Sequence, residues 1–361
     1  MKASLATYWR GLANGTRNSL IERLLVTLLV PLSLPYALLQ QLRAGLYQIG
    51  ILAAKRLPRP VISIGNLTVG GTGKTPVTAY IARQLLAQGL KVAVLSRGYG
   101  GSREGLATIV SDGKTVLGTA EECGDDPFLL ATTVPGLMVV TGSNRHAAGL
   151  LALERLAPDI FLLDDGFQHL RLHRDLNILL LDCTRPFGNG WTLPAGLLRE
   201  PKSAGKRADL VIQTRCPQTG TPAAKLPETV FCNARHELAD AIPLSGGAPL
   251  PLNSLYGRNV LAFAGIAEPQ SFFDGLRRHN LNVVASICLP DHVVYDNAQI
   301  RAIADALRTS GADYAITTEK DGVKLNHLPE ELAEKTLLAR LELTIEDPAP
   351  LNALVLNLLQ K

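Results

Sequence analysis

The stretch PVISIGNLTVGGTGKTPVTAYIARQLLAQG, Pro60 to Gly89, decides the fold. Its first part, Val61 to Ile64, is apolar and β-branched, which predicts a buried strand. Its last part, Thr75 to Leu86, has apolar residues at helical spacing before Gly89, which predicts a helix. Between them lies a glycine-rich turn. A strand, such a turn and a helix in this order are typical of a phosphate-binding loop at a helix N-terminus.

This turn contains the residues that we expect to bind the nucleotide. Glycines allow a backbone path on which successive N–H groups point at a phosphate chain. Lys74 would reach the terminal phosphates, and the Thr75 hydroxyl would bind Mg²⁺. The alternative is a turn that binds no ligand. The predicted nucleotide-binding residues are Thr68, Val69, Gly70, Gly71, Thr72, Gly73, Lys74 and Thr75.

Three positions restrict the class of nucleotide-binding protein. The usual pattern has Gly where this chain has Thr68. ATPases that dimerise around nucleotide carry Lys where this chain has Val69. The nearest match to a guanine-reading motif, TEKD at Thr318 to Asp321, has its Lys one place too late. We therefore expect ATP rather than GTP.

Composition sets the broad class of the protein. A length of 361 residues allows two domains. A hydrophobic content of 47% and a mean hydropathy of +0.14 are high for a soluble protein but low for a polytopic one. The 5 cysteines are scattered and never spaced CxxC, which favours a reducing compartment without disulfides or a zinc knuckle.

The N-terminal region is both basic and apolar. Residues 1–60 hold eight Lys and Arg against Glu22 alone, so the balance there is +7 and the rest of the chain carries about −3 of the total +4. The run Leu24 to Leu39 is uncharged but contains Pro31 and Pro35. It is shorter than the roughly 20 residues of a spanning helix, and two prolines disfavour a regular helix.

Two interpretations of this region remain open. It could be a helical hairpin packed on the main domain, or an amphipathic helix pair in the membrane interface, where Arg23 and Arg43 meet anionic headgroups. We favour peripheral membrane attachment. A cleaved signal peptide is not favoured, because no small-residue cleavage site follows the run. Nucleic acid is not an expected partner, because aliphatic rather than aromatic residues separate the basic ones.

The order of the remaining elements predicts an α/β fold. Strands are expected at 92–95, 158–166, 176–182 and 208–214, alternating with helices, which predicts a P-loop NTPase-like parallel sheet with helices on both faces. A stretch rich in Pro and Gly, from about 216 to 253, indicates a linker before a smaller α/β domain. The expected domains are 1–50, 51–222 and 223–361.

Carboxylates follow one predicted strand and precede one predicted helix. Asp164 and Asp165 end the strand at 158–166, where a carboxylate can hold Mg²⁺ or its waters. The second cluster includes Asp125 and Asp126. It could be only a helix N-terminus with favourable negative charge. An Asp in this loop is nevertheless the best candidate for the base that phosphoryl transfer to an alcohol requires.

Two arginines and three histidines are the remaining candidates for site residues. Arg145 and Arg199 could hold the migrating phosphoryl group, although a single Arg is usually a surface residue. His169 and His173 lack the Glu of a zinc-protease helix and are interpreted as structural. His292 follows a predicted strand of the second domain and could face a cleft.

Ten strings together resemble the tetraacyldisaccharide 4′-kinase family of lipid A synthesis. They run in family order from about residue 20 to about residue 325 and are ISIGNLTVGGTGKTP, LSRGYGG, GDDP, NRHAAG, DDGFQH, RDLNILLLD, LPAGLLREP, FAGIAEPQSFF, PDH and TTEKDGVKL. The resemblance implies transfer of the γ-phosphate of MgATP to the 4′-hydroxyl of a tetraacylated glucosamine disaccharide 1-phosphate, at the cytoplasmic face of the inner membrane. No obligate protein partner is implied.

The resemblance also implies roles for individual residues. Asp125 looks like the catalytic Asp with His292 as its partner, and Lys74, Arg145 and Arg199 look like phosphate ligands. Asp126, Asp164 and Asp165 look like the family's metal-site and supporting acids. Val293 stands where the family usually has His or Gln.

If Asp125 and His292 belong to different domains, domain closure becomes a condition of catalysis. The alternative functions are a membrane-associated regulatory ATPase without a lipid acceptor, and a membrane scaffold with a vestigial loop.

Overall fold

The computed structural model describes residues 5–17, 19–216, 229–326 and 328–360. The helices in these residues are α1 (Leu5–Ala13), α2 (Leu20–Gln48), α3 (Lys74–Ala87), α4 (Ala120–Cys123), α5 (Asp125–Thr133), α6 (Arg145–Arg155), α7 (Pro269–Arg278), α8 (Asn297–Ser310), α9 (Glu319–Gly322), α10 (Glu330–Lys335) and α11 (Ala349–Leu359). The strands are β1 (Val61–Asn66), β2 (Val92–Ser96), β3 (Thr108–Asp112), β4 (Met138–Thr141), β5 (Ile160–Asp164), β6 (Leu176–Asp182), β7 (Leu210–Thr214), β8 (Val230–Pro243), β9 (Leu250–Pro251), β10 (Asn259–Ala264), β11 (Asn282–Cys288), β12 (Tyr314–Thr318) and β13 (Thr336–Ile345).

Backbone contacts group the chain into two units, each made of separate segments. The first unit contains residues 1–95, 145–235 and 345–361, and the second contains residues 96–144 and 236–344. The three domains predicted from the sequence, 1–50, 51–222 and 223–361, stay a prediction.

The first unit contains a parallel sheet. β5 and β6 pair with β1, β2 pairs with β5, and β7 pairs with β6, all in parallel. Every residue of β1, β5 and β7 is buried, as in a sheet covered on both faces. Helix α3 packs on β1 and β5, and α11 packs on β6. The α/β fold class predicted from the alternating pattern is confirmed.

The N-terminal run forms one helix rather than an interrupted segment. Helix α2 continues for 29 residues through Pro31 and Pro35. A capping box between Ser19 and Glu22 starts it, and between the prolines the Ser33 carbonyl accepts a hydrogen bond from Thr192 Oγ1 at 3.0 Å. The expectation that the prolines prevent a regular helix is wrong.

The length and surface of α2 bear on membrane contact. Only 6% of its most apolar window is buried, and length and composition would let this helix cross a bilayer. The exposed large apolar side chains of α2 are Leu20, Ile21, Leu24, Leu25, Leu28, Leu32, Leu34, Leu38, Leu39 and Leu42. An uncovered apolar surface of this kind is compatible with membrane association.

The second unit has its own parallel sheet with helices on both faces. β10 pairs with β11 and β12, and β12 pairs with β13. Alternate residues of β10 enter two different cores: Val260 packs with Phe273 of α7, whereas Leu261 packs with Ile303 of α8. The period of two along a strand therefore places α7 and α8 on opposite faces.

Two parts of the chain differ from the sequence expectations. β3 and β4 form an antiparallel pair, as do β8 and β9, so pairing is not parallel throughout. Residues 230–243 within the predicted linker form strand β8, whose start pairs with β7. Residues 217–228 of that linker lie outside the described residues.

Candidate functional site

The glycine-rich turn leads directly into α3. Gly73 is the N-cap residue of α3 and has φ 79°, in the left-handed region that favours glycine. Gly70 has φ 120°, and a Cβ placed there would meet open space, so the backbone at this point is accessible. Exposed backbone at the start of a helix offers N–H groups and a positive dipole end. This geometry fits the phosphates of a nucleotide.

The phosphate-binding turn, residues 68–75, is called the cradle below. It is bonded to residues at the ends of strands β1 and β7. The Lys74 ammonium lies 3.4 Å from both Asn66 Oδ1 and the Gly70 carbonyl oxygen. Thr214 Oγ1 donates to the Thr72 carbonyl oxygen at 2.8 Å. Arg215 donates to the carbonyl oxygen of Gly71. These bonds fix the backbone carbonyls of the turn.

Asp164 and Asp165 lie where the pattern predicts, at the carboxyl end of β5. Asp164 is buried and accepts a hydrogen bond from Thr78 Oγ1 of α3 at 3.0 Å. Asp165 has φ 49°, and both its oxygens accept from Arg199 Nη1, at 3.1 and 2.9 Å. Lys74 Nζ lies 3.8 Å from Asp165 Oδ1. Both carboxylates thus face the start of α3.

The charges around Asp165 keep it ionised. Burial alone would raise the pKa of its carboxyl, but the charges of Lys74, Arg199 and Arg145 outweigh burial and lower that pKa. Arg145 begins α6 and is itself buried. The structure therefore brings Lys74, Arg145 and Arg199 into one electrostatic group with Asp165. The contact of these three cations with phosphate stays a prediction.

His169 lies near the same arginines. Burial is the largest effect that lowers its pKa to about 4, followed by the charges of Arg145, Arg174, Arg171 and Arg43. The imidazole is therefore neutral at physiological pH. Within the described residues no group of three or more His, Cys, Asp or Glu side chains is placed to hold a metal ion. The interpretation of His169 as a structural residue stays a prediction.

The segment from Trp191 to Glu200 connects α2 to the cradle. On one side, the Leu197 carbonyl accepts from the Val69 N–H at 2.8 Å. On the other, Ser33 Oγ accepts from the Ala195 N–H at 3.0 Å and donates to the Thr192 carbonyl at 2.9 Å. The apolar helix is therefore fastened to the segment that positions the phosphate-binding turn.

The second unit contains a hydrogen-bonded Asp–His pair. Asp125 is the first residue of α5, and its Oδ2 lies 3.0 Å from His292 Nδ1. His292 has φ 57°, a left-handed conformation that is uncommon for a residue other than glycine. The Tyr99 ring meets the imidazole edge-on, with centroids 5.7 Å apart. Backbone conformation and ring packing thus both orient His292 toward Asp125.

Two lysines that sequence analysis missed lie beside this pair. Lys324 Nζ is 3.2 Å from Asp125 Oδ2, and Lys320 Nζ is 3.1 Å from Asp126 Oδ1. Burial would raise the pKa of Asp125, but the bond to His292 and the charges of both lysines lower it. For Lys320, burial would lower the pKa, but the charges of Asp126 and Asp291 outweigh burial and raise that pKa. Both lysines belong to TTEKDGVKL, in which TEKD was assessed only as a guanine motif.

The predicted site residues therefore form two groups. Lys74, Thr75, Arg145, Asp164, Asp165 and Arg199 lie in the first unit, and Asp125, Asp126 and His292 lie in the second. Asp125 and His292 both belong to the second unit, because residues 96–144 group with residues 236–344. That catalysis depends on domain closure stays a prediction.

The donors in the first unit suit magnesium. Mg²⁺ is bound by oxygen ligands, commonly one or two carboxylates plus waters and substrate phosphates. Thr75, Asp164 and Asp165 supply a hydroxyl and two carboxylates beside the phosphate-binding turn. Asp126 belongs to the other group and is paired with Lys320, so its predicted metal role stays a prediction.

The chain is similar to known proteins over most of its length. The family model described as Tetraacyldisaccharide-1-P 4′-kinase matches residues 25–360. The chain is 65% identical to the tetraacyldisaccharide 4′-kinase of Pelobacter propionicus over the full length of both chains. It is 54% identical to the protein of that name from Geobacter metallireducens, covering 93% of this chain and 99% of the relative.

A solved structure is also similar. It is the "apo" form of LpxK from Aquifex aeolicus in complex with ATP, with a TM-score of 0.78 and 34% sequence identity. The match covers 93% of this chain and 99% of that one.

Proposed function

The chain belongs to the tetraacyldisaccharide-1-P 4′-kinase family, and we infer that it transfers the γ-phosphoryl group of ATP to the 4′-hydroxyl of a tetraacylated glucosamine disaccharide 1-phosphate in lipid A biosynthesis. It is an ATP-dependent lipid kinase, with ATP and Mg²⁺ as its nucleotide and metal.

The observation that carries this function is the hydrogen bond from His292 to Asp125. Transfer to an alcohol requires a base at the acceptor hydroxyl, whereas simple binding of a nucleotide does not. We assign this role to Asp125. Its lowered pKa keeps the carboxylate ready to accept a proton, and His292 orients it and can take up the charge that follows.

The phosphate-binding residues supply the electrostatic part of catalysis. We assign the cradle from Thr68 to Thr75 to the nucleotide phosphates, with Lys74 on the terminal ones. Arg145 and Arg199 offset negative charge on the phosphoryl group in the transition state. Bound Mg²⁺, on Thr75 and the two carboxylates, would neutralise further charge on the phosphate oxygens. Asp165, bonded to Arg199, positions that guanidinium.

Helix α2 suits the physical state of the substrate. An acylated disaccharide stays in the bilayer, so the enzyme must reach it there. We propose that α2 enters the cytoplasmic face of the inner membrane through its exposed leucines, with Arg23 and Arg43 near anionic headgroups. Because Ser33 bonds the segment next to the cradle, membrane contact also places the first unit near the headgroups.

Mass spectrometry of the lipid product tests the function. A detergent-solubilised tetraacylated disaccharide 1-phosphate is incubated with MgATP and either the wild-type protein or Asp125→Asn. We expect the mass of one phosphate to be added by the wild type and strongly reduced addition with the variant. ATP consumption without phosphorylated lipid would instead support a regulatory ATPase.

A further inference from the structure

Lys324 is a buried cation between two carboxylates. Its Nζ lies 3.2 Å from Asp125 Oδ2 and 3.3 Å from Asp321 Oδ1, and its side chain is only 8% exposed. An ammonium removed from water is costly unless it is paired at close range. Asp321 alone provides such a partner, so the second contact, to Asp125, is the one that needs a further reason.

Asp321 anchors this cation to the second unit. It is fully buried, and its Oδ2 accepts from the Gly265 N–H at 3.0 Å and from Thr318 Oγ1 at 2.8 Å. The ring of Tyr295 lies under the ammonium, with 5.5 Å between Nζ and the ring centroid. Contacts from the residue after β10 and from β12 therefore hold Asp321, and the Tyr295 ring in the loop before α8 packs against Lys324.

His292 and Lys324 both contact the same carboxylate oxygen of Asp125. His292 Nδ1 lies 3.0 Å from Oδ2, and the closest approach of Lys324 is also to Oδ2. The torsion that exchanges the two oxygens of a carboxylate has a broad, two-fold profile, so a single hydrogen bond restrains it weakly. Two contacts to one oxygen restrain it more strongly.

We propose that Lys324, held by Asp321, is a positioning residue: with His292 it fixes Oδ2 of Asp125 and so presents Oδ1 to the acceptor hydroxyl. The proton of the hydroxyl passes to Oδ1 as the hydroxyl oxygen forms its bond to phosphorus and the bond from phosphorus to the leaving ADP oxygen breaks. This inference rests on the proposed function, because it assigns a role in the same transfer reaction. Small errors in the position of a base reduce rates markedly.

The test combines Lys324→Met with Asp125→Asn in a double-mutant cycle. Methionine keeps much of the side-chain volume and removes the charge. We expect Lys324→Met to lower kcat by roughly tenfold to a hundredfold, while KM for ATP changes by less than about twofold because the cradle is untouched. In the Asp125→Asn background, the same substitution should change the residual kcat by less than about twofold.

A matched control is Lys335→Met, which removes an exposed lysine paired with Glu331 in the same unit. It should leave kcat unchanged. If Lys324→Met does not fold, because Asp321 loses its counter-ion, the charge-balanced pair Asp321→Asn with Lys324→Met replaces it, with the same expected loss and the same dependence on Asp125.

The outcomes separate this inference from the function on which it rests. Equal kcat for the wild type and Lys324→Met would overturn the inference alone, as would an undiminished loss in the Asp125→Asn background, which indicates a purely structural role. Absence of lipid phosphorylation by the wild-type protein would overturn the proposed function, and the inference with it.

Discussion

Replacement of His292 by asparagine tests the proposed role of the Asp–His pair. Asparagine tolerates the left-handed conformation that His292 adopts at φ 57°, so the backbone is preserved while the imidazole is removed. The lost interaction is a 3.0 Å hydrogen bond to a carboxylate whose side chain is only 12% exposed. Hydrogen bonds to charged groups contribute about 1.5–3 kcal/mol, and each 1.36 kcal/mol is about tenfold in rate.

We therefore expect His292→Asn to lower kcat by about tenfold to 150-fold. The dissociation constant for ATP should change little, because the phosphate-binding turn belongs to the other unit. Initial rates of lipid phosphorylation give kcat, and equilibrium titration with a non-hydrolysable ATP analogue gives affinity. His279→Asn, at the C-cap of α7, is the matched control and should behave as the wild type.

Two results would refute this reasoning. The first is a kcat within about threefold of the wild type, which would mean that the hydrogen bond makes no difference to the reaction. The second is an equal loss in kcat/KM and in ATP affinity, which would assign His292 to nucleotide binding.

Three further predictions concern stability, pH and membrane binding. Ser33→Ala leaves the Ala195 N–H without its acceptor and should lower the free energy of unfolding in detergent by about 1–3 kcal/mol. The control is Thr27→Ala, which removes only an exposed hydrogen bond within α2 and should stay within about 0.5 kcal/mol of the wild type. The pKa of His169 is lowered from 6.5 to about 4 in the folded protein, so the stabilisation by its neutral imidazole is fully present above pH 6.5 and is lost as pH falls toward 4. The free energy of unfolding of His169→Gln, measured with urea, should therefore decline less over this pH range than that of the wild type. An equal decline in the two proteins would contradict this linkage. Leu28→Glu with Leu32→Glu, on the exposed surface of α2, should abolish sedimentation with phosphatidylglycerol vesicles without altering the circular dichroism spectrum; continued sedimentation would show that another surface binds the lipid.

Local chemistry made much of the fold predictable. The run from Leu176 to Asp182 is a strand with those bounds in the structure, because a short apolar run between turn residues has few alternatives. The cradle is predictable for a related reason: Gly73 permits a left-handed residue directly before a helix, and this restriction is visible in residue type. The carboxylates at the end of β5 follow from the direction of parallel strands.

Other features depend on partners that are distant in sequence. Pro31 and Pro35 locally disfavour a helix, yet α2 continues through both, and Ser33 between them bonds to Thr192 and Ala195. The length of the run alone could not reveal those partners. Membrane interpretations based on a broken segment were therefore wrong about the helix, although they identified the apolar surface.

The candidate site shows the same division. Residue types and order alone determined the phosphate-binding turn, its lysine and the strand-end carboxylates, because each depends on local conformation. The pairing of an Asp with a His was implied only by the resemblance to a known family. Only the tertiary structure decided that residues 96–144 join the unit of His292, and that Lys324 and Asp321 support Asp125. The physical reason is that a buried charge is balanced by whichever groups the fold brings within a few ångströms, and such proximity has no periodicity that a sequence can display.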